Sequence, residues 1–248
     1  MPKTQSSSMT PLQQPISSLG PLNFGIEELE KLFRELKQGH LVFLHGSQFS
    51  HVLSELLCVC SLLPNSEEGL DPSVVFVDGG NIFDPYLISE AARLFGLDAE
   101  ETLKNIWVSR AFTAYQLTAL ITEKLPEILE RERPKLVVIS NIAALYCDPD
   151  IGILEATRTF NRVTLFLWNL TREKNLVSVT TSLSSKGERK QCLEQYLQGR
   201  ADIVANIETG NPHTKITLEK HLSEPAASVN LSFNEPNAWT LLEDFMEV

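Results

Sequence analysis

Three features of the sequence predict an α/β fold built on a mainly parallel central sheet with helices on both faces. Short, continuous apolar runs, LVFL at 41–44, SVVFV at 73–77, LVVI at 136–139 and LVSVTT at 176–181, suit strands covered on both sides. Between them lie segments whose apolar residues recur at helical spacing. After residue 202 the pattern changes. Three strand-like segments, 203–208, 215–219 and 228–233, follow closely and read as an antiparallel C-terminal extension.

The chain has 248 residues, 43% hydrophobic and 21% charged, which suits one large globular domain with tails. We divide it into a flexible N-terminal tail at 1–22, a core domain at 23–236 and an acidic C-terminal tail at 237–248. A net charge of −11 excludes general attraction to nucleic acid, so any such contact needs a local basic patch. Cys58, Cys60, Cys147 and Cys192 lack metal-ligand spacing and read as reduced structural thiols of a cytosolic protein. No apolar run approaches the roughly 18 residues that cross a bilayer. No membrane partner is therefore expected, and the first twenty residues lack the apolar segment of a secretory signal.

Taken in order, residues 1–22 are rich in Ser, Pro and Gln and read as a flexible tail too polar to order itself, the alternative being a short docking element around 16–22. Residues 25–38 form an amphipathic helix with Ile26, Leu29, Leu32, Phe33 and Leu36 on one face, ended by Gly39. Strand 41–44 and helix 52–63 follow, then a polar loop at 64–72. Strand 73–77 runs into Asp78, Gly79, Gly80 and Asn81. Pro85 opens helix 86–95, where its missing N–H costs little, and Gly96 closes it. Asp98 caps a short helix at 99–105, and 106–108 is a strand. Residues 114–131 form a long helix that Pro126 should kink or split. Strand 136–139 follows, and Cys147 is read at the end of a strand. Residues 153–170 begin as a helix, with β-branched residues weakening the pattern further on. After strand 176–181 comes a polar, basic stretch at 182–199, read as loop plus helix. In the tail at 239–248, Trp239 and Phe245 are placed to pack on the body.

Ligands of such folds sit beyond the carboxyl ends of the strands. That edge carries HGSQFSH at 45–51, Asp78 to Asn81, Ser140 with Asn141, and Thr181 with Ser182. A strand, a Gly-bearing loop and a helix is the layout that wraps a phosphate chain. This loop has a single glycine, Gly46, and no lysine. His45 and His51 flank it without a nearby third ligand, so no metal is expected. Asp78 either holds a residual metal or sugar contact or caps the following turn. Ser140 has no recognised His/Asp partner that would make it a nucleophile.

Residues from about 29 to about 233 resemble the ATPase core of the RecA/Rad51/RadA recombinases, particularly the archaeal branch. The densest match is VVFVDGGNIFDPYLISEAARLFGLDAEETLKNIWVSRAFTAYQ, residues 74–116, with Phe83, Pro85, Gly96, Leu97, Asp98, Arg110 and Ala111 in the family's places. The resemblance implies a RecA-like P-loop NTPase fold that in active members builds filaments on DNA and hydrolyses ATP with magnesium.

The departures from that pattern fall on its chemistry. The family's G-x-x-G-x-G-K-T loop is here about three residues short, opening at Gly46 and Ser47, with Ser50 and His51 near the place of the lysine and its Thr. Its catalytic glutamate falls at Gly80, its magnesium-supporting aspartate at Ser140 and its sensing glutamine near Ser182. Phosphoryl transfer rests almost wholly on positioning and charge, so the resemblance implies an inactive ATP site and no resident cofactor. Lys186, Arg189, Lys190 and Arg200 form one basic cluster, at the family's second DNA-facing loop, and are candidates for contact with single-stranded DNA. The first such loop falls around 148–152 and is acidic and short.

The expectation is therefore a non-catalytic paralogue in homologous recombination and DNA repair, binding an active RadA/Rad51-like recombinase or another repair protein. It would be nucleoid-associated in an archaeon and nuclear in a eukaryote. Two alternatives stay open: a single-stranded DNA-binding accessory factor that needs no nucleotide, and a residual nucleotide-binding sensor.

Overall fold

The computed structural model describes residues 22, 24, 26–34, 36–63, 73–184, 187–210 and 213–232. The expectations for residues 1–21, the 64–72 loop, Lys186, Phe233 and the acidic tail with Trp239 and Phe245 lie outside the described residues, while Leu22, expected in the flexible tail, is buried with its carbonyl accepting from Leu36 N at 3.2 Å.

The elements are α1 (Glu27–Phe33), β1 (Leu41–Gly46), α2 (Phe49–Ser61), β2 (Val74–Asp78), α3 (Pro85–Leu94), α4 (Ala99–Lys104) and β3 (Ile106–Arg110). They continue as α5 (Ala114–Ala119), α6 (Leu125–Glu132), β4 (Leu136–Ser140), α7 (Ile153–Glu173), β5 (Val177–Leu183), α8 (Glu188–Arg200), β6 (Ile203–Thr209), β7 (His213–Lys220) and β8 (Ala227–Ser232). The strands form one eight-stranded sheet in the order β3-β2-β4-β5-β1-β6-β7-β8. From β3 to β6 all neighbours are parallel. The steps to β7 and β8 are antiparallel. This is the mixed α/β sheet that the apolar runs predict.

Side chains alternate across each strand, so every buried strand feeds two cores. Val42, Leu44, Val74 and Phe76 face α1, α2 and α3. Leu41, Phe43, Val75 and Val77 face α5, α6, α7 and α8. Helix α2 is buried along all thirteen residues. A helix covered on every side suits a central position over β1, β4, β5 and β6 beside α3, with its serines turned back onto its own carbonyls. Among the described residues no helix is long and apolar enough to cross a membrane.

Several expectations are corrected. Helix α1 ends at Phe33, well before Gly39, because Arg34 takes a left-handed φ of 55°. Gly39, at φ 90°, serves the turn into β1 instead, its N–H donating to the Leu176 carbonyl at 2.6 Å. Helix α2 begins three residues before 52, so Ser50 and His51 are helical. The disturbance expected of the long helix at Pro126 takes the form of a π turn between α5 and α6. The helix widens at Leu120–Lys124 just before the proline and then resumes as α6. Proline removes one N–H and crowds the preceding turn, and a wider turn absorbs both effects. Cys147 lies in a 3-10 turn, Ala144–Cys147, after β4. Helix α7 runs its full 21 residues despite its β-branched side chains. Phe160, Val163, Thr164 and Leu167 are buried along it, and that packing outweighs their weak propensity. Ser182 belongs to β5 and not to the loop after it.

Candidate functional site

The connection between β1 and α2 consists of Ser47 and Gln48 alone. Gly46 holds φ +121°, and a Cβ there would lie 2.1 Å from the Ile207 carbonyl oxygen. The close approach seats β1 against β6. Three of the N–H groups at this turn are already used. Ser47 N donates to Ile207 O at 2.8 Å, Ser50 N to Ser47 O at 3.1 Å and His51 N to Gln48 O at 2.8 Å. The Ser50 hydroxyl also donates to Ser47 O at 2.8 Å. Ser47 Oγ accepts from Thr209 at 2.7 Å. His45 turns to Glu219 at 2.9 Å and stacks on Phe43. The turn is closed on itself, with no free cradle at Ser47, Ser50 or His51.

His51, only 7% exposed, joins a second set of bonds. Asn141 N donates to Thr181 Oγ1 at 2.9 Å, and Thr181 Oγ1 lies 2.9 Å from His51 Nδ1. The hydroxyl has one proton to give. Giving it to Nδ1 leaves the ring proton on Nε2, which has no partner among the described residues. Burial pushes the imidazole pKa down to about 4, with Asp78 acting against the shift and Lys190 with it. Folded His51 is therefore neutral at pH 7, and the unfolded chain binds the extra proton first. The stability this provides is complete above pH 6.5 and is lost as pH falls toward 4. Between pH 7 and 4.5 the loss is roughly 2–3 kcal/mol from this group. Urea unfolding at both pH values should show His51→Gln losing less than the native chain by that amount.

Strand register explains the neighbouring group. Asp78 on β2 pairs with Arg110 on β3 and Ser140 on β4, so three polar side chains meet at one level of the edge. Asp78 Oδ1 accepts from Ser140 Oγ at 2.9 Å, Ile82 N at 3.1 Å and Gly80 N at 3.2 Å. Its Oδ2 accepts from Arg110 Nε at 3.1 Å and Phe83 N at 3.2 Å. Burial raises the carboxyl pKa, but Ile82, Ser140, Phe83 and Arg110 together hold it below the usual value. Asp78 thus caps the turn after β2. No group of three or more His, Cys, Asp or Glu that could hold a metal occurs among the described residues.

Gly80 sits where a longer side chain would not fit, because a Cβ there would be 2.9 Å from the Cβ of Asn141. At Gly79 a Cβ would come within 2.7 Å of the Ser140 carbonyl oxygen. Ser140 is fully buried, its Oγ accepting from Gly79 N at 3.2 Å, so it faces inward to β2.

The basic cluster is divided. Lys190 is buried at 6% exposure, its ammonium donating to the Leu183 carbonyl and lying 4.0 Å from Glu194. Glu194 also accepts from Ser182 Oγ at 2.5 Å. Burial lowers the Lys190 pKa, while Glu194 raises it. Arg200 pins α8 to α7 through Asn161 at 2.5 Å and Thr164 at 3.1 Å. Lys190 is therefore not a surface cation, contrary to the sequence expectation, while Arg200 is half-buried with its guanidinium engaged by α7. Arg189 keeps Nε and Nη2 buried and without a partner among the described residues. Lys186 lies outside them.

Periodicity gave no sign of Thr181 as the partner of His51, or of Glu194 as the acceptor for Ser182. A further polar group within the core is Glu55, 2% exposed, whose Oε1 accepts from Asp84 N at 3.0 Å. Burial raises its pKa well above the usual value. Its signal in the sequence is one acidic residue inside an otherwise apolar and serine-bearing helix.

Comparison with known proteins places this architecture. Residues 26–220 match the family model of Rad51. The chain is 29% identical to the DNA repair protein Rad51 homolog of Drosophila melanogaster over 158 residues, 61% of this chain and 46% of that protein. It is 26% identical to the meiotic recombination protein DLH1 of Candida albicans over 175 residues, 69% of this chain and 54% of that protein. The chain spans about half the length of these relatives. With the family model covering nearly the whole described fold, the chain belongs to the Rad51 family.

Proposed function

We propose that this chain is a non-hydrolysing member of its family that serves homologous recombination and DNA repair by binding an active recombinase. The names of the two relatives support the pathway, one a DNA repair protein and the other a meiotic recombination protein. The observation that carries the inactive reading is the closed turn at Ser47 and Gln48. Its N–H groups at Ser47, Ser50 and His51 donate to the protein itself. A triphosphate needs those donors and a cation. Lys190, close enough to His51 to oppose its protonation, has its charge engaged by Leu183 and Glu194. Gly80 and Ser140 supply neither a base nor a metal carboxylate. A family fold without the means to hydrolyse ATP acts through contact.

The test mixes the purified full chain with the active Rad51-family recombinase of the same organism. We expect a complex by size-exclusion chromatography and a changed recombinase ATPase or strand-exchange rate. Absence of any complex across several salt concentrations would refute the binding role.

A further inference from the structure

The faces of α5 and α7 that build the core are Ala114 and Leu117, and Ala156, Phe160, Val163 and Leu167. Large apolar side chains also stand at the starts of these two helices, away from those faces. Phe112 is 67% exposed, Tyr115 60%, Ile153 66% and Leu154 73%. Single exposed apolar residues are ordinary, but four large ones grouped at two adjoining helix starts mark an interaction site. The two helix starts are fixed side by side by Tyr115 OH donating to Glu155 Oε1 at 2.8 Å. Phe112 is held by its own N–H, which donates to Gln116 Oε1 at 2.8 Å. The preceding loop is tied by Asp150 N to Asp148 Oδ1 at 2.8 Å and by Ile151 N to Asp148 O at 3.2 Å. The patch is thus presented on fixed backbone.

Its charge says what covers it. Asp148, Asp150 and Glu155 are exposed beside it; of the nearby basic groups, Arg158 lies one turn further along α7 and Arg110, two residues before Phe112, has its guanidinium paired with Asp78. An acidic border repels nucleic-acid phosphates and attracts Lys and Arg. The chain's own ends do not match: residues 233–248 carry only acidic charges, and residues 1–21 carry a single cation, Lys3. A second copy of a chain with net charge −11 is a poor match too. We infer that Phe112, Tyr115, Ile153 and Leu154, bordered by Asp148, Asp150 and Glu155, form the docking surface for a protein partner that presents apolar anchors flanked by basic residues. Aromatic side chains on a rigid base are the usual anchors of such contacts. The surface deepens the reading of the chain as a recombinase-binding protein and rests on it.

The experiment titrates the organism's active Rad51-family recombinase against the full native chain and against a Phe112→Ser, Leu154→Ser double variant, by calorimetry at two salt concentrations. Both side chains are exposed, so the variant should keep the native melting temperature, which is measured alongside. We expect at least tenfold weaker binding by the variant. Native binding should weaken as salt rises, and Asp148→Lys with Asp150→Lys should weaken it further. Native binding that the double variant retains in full would overturn this surface and leave the binding role standing. No binding by the native chain would overturn the role and the surface together. A single-stranded DNA oligonucleotide bound by the native chain and lost by the variant would show a nucleic-acid site instead. Self-association lost only in the variant, seen by analytical ultracentrifugation, would make the partner a second copy. Either of these last two results overturns the inference.

Discussion

Gly46→Ala is expected to destabilise the chain by about 4 kcal/mol or more, or to prevent folding. Two causes act at once. A φ of +121° strains any L side chain, and the added methyl would meet the Ile207 carbonyl oxygen at 2.1 Å, with Asn206 Oδ1 at 2.8 Å. Backbone from β6 cannot step aside without breaking the Ser47 N to Ile207 O bond, and Gly46 is held from the other side by Ser184 N, which donates to its carbonyl. The glycine that ends β1 is therefore kept by packing, with no phosphate invoked. Guanidinium unfolding of the soluble fraction measures the loss, and a loss below about 1 kcal/mol would contradict the geometry.

Asp78→Ala is expected to cost about 3–5 kcal/mol, because a buried carboxylate with five donors is removed. The N–H groups of Ile82 and Phe83 and the Ser140 hydroxyl would lose their acceptor inside the protein. Arg110 contributes less to that cost, since its side chain is 39% exposed and can turn to water. Asp78→Asn keeps one acceptor oxygen and should lose less. Thermal and denaturant unfolding of the three chains would order them native, Asn, Ala. An Ala variant as stable as the native chain would show that the carboxylate does not organise the turn.

Much of the architecture was legible because burial writes itself into the sequence. VVFV and LVVI are apolar at every position, and they became strands covered on both faces. Asp98 and Pro85 marked helix starts by chemistry that acts within a few residues, and both elements begin there. Contacts between distant segments were not legible. Nothing near Arg34 announces that its backbone turns left-handed, and Pro126 predicts a disturbance without saying that a π turn will absorb it. At the functional edge, the positions of Gly80, Ser140 and Ser182 followed from the resemblance. The contacts of Gly80 and Ser140 depend on register between β2 and β4, about 60 residues apart in sequence, and Ser182 finds Glu194 only once α8 packs back on β5. Lys190 reads as a basic surface residue, yet the fold buries it against Leu183 and Glu194.

The most direct measurement is equilibrium binding of a fluorescent ATP analogue to the purified full chain, with and without magnesium, followed by a hydrolysis assay on the same sample. The closed turn at Ser47 and Gln48 predicts no saturable binding at micromolar concentrations and no release of phosphate. Saturable binding, or turnover abolished by a change at Asp78 or His51, would contradict it.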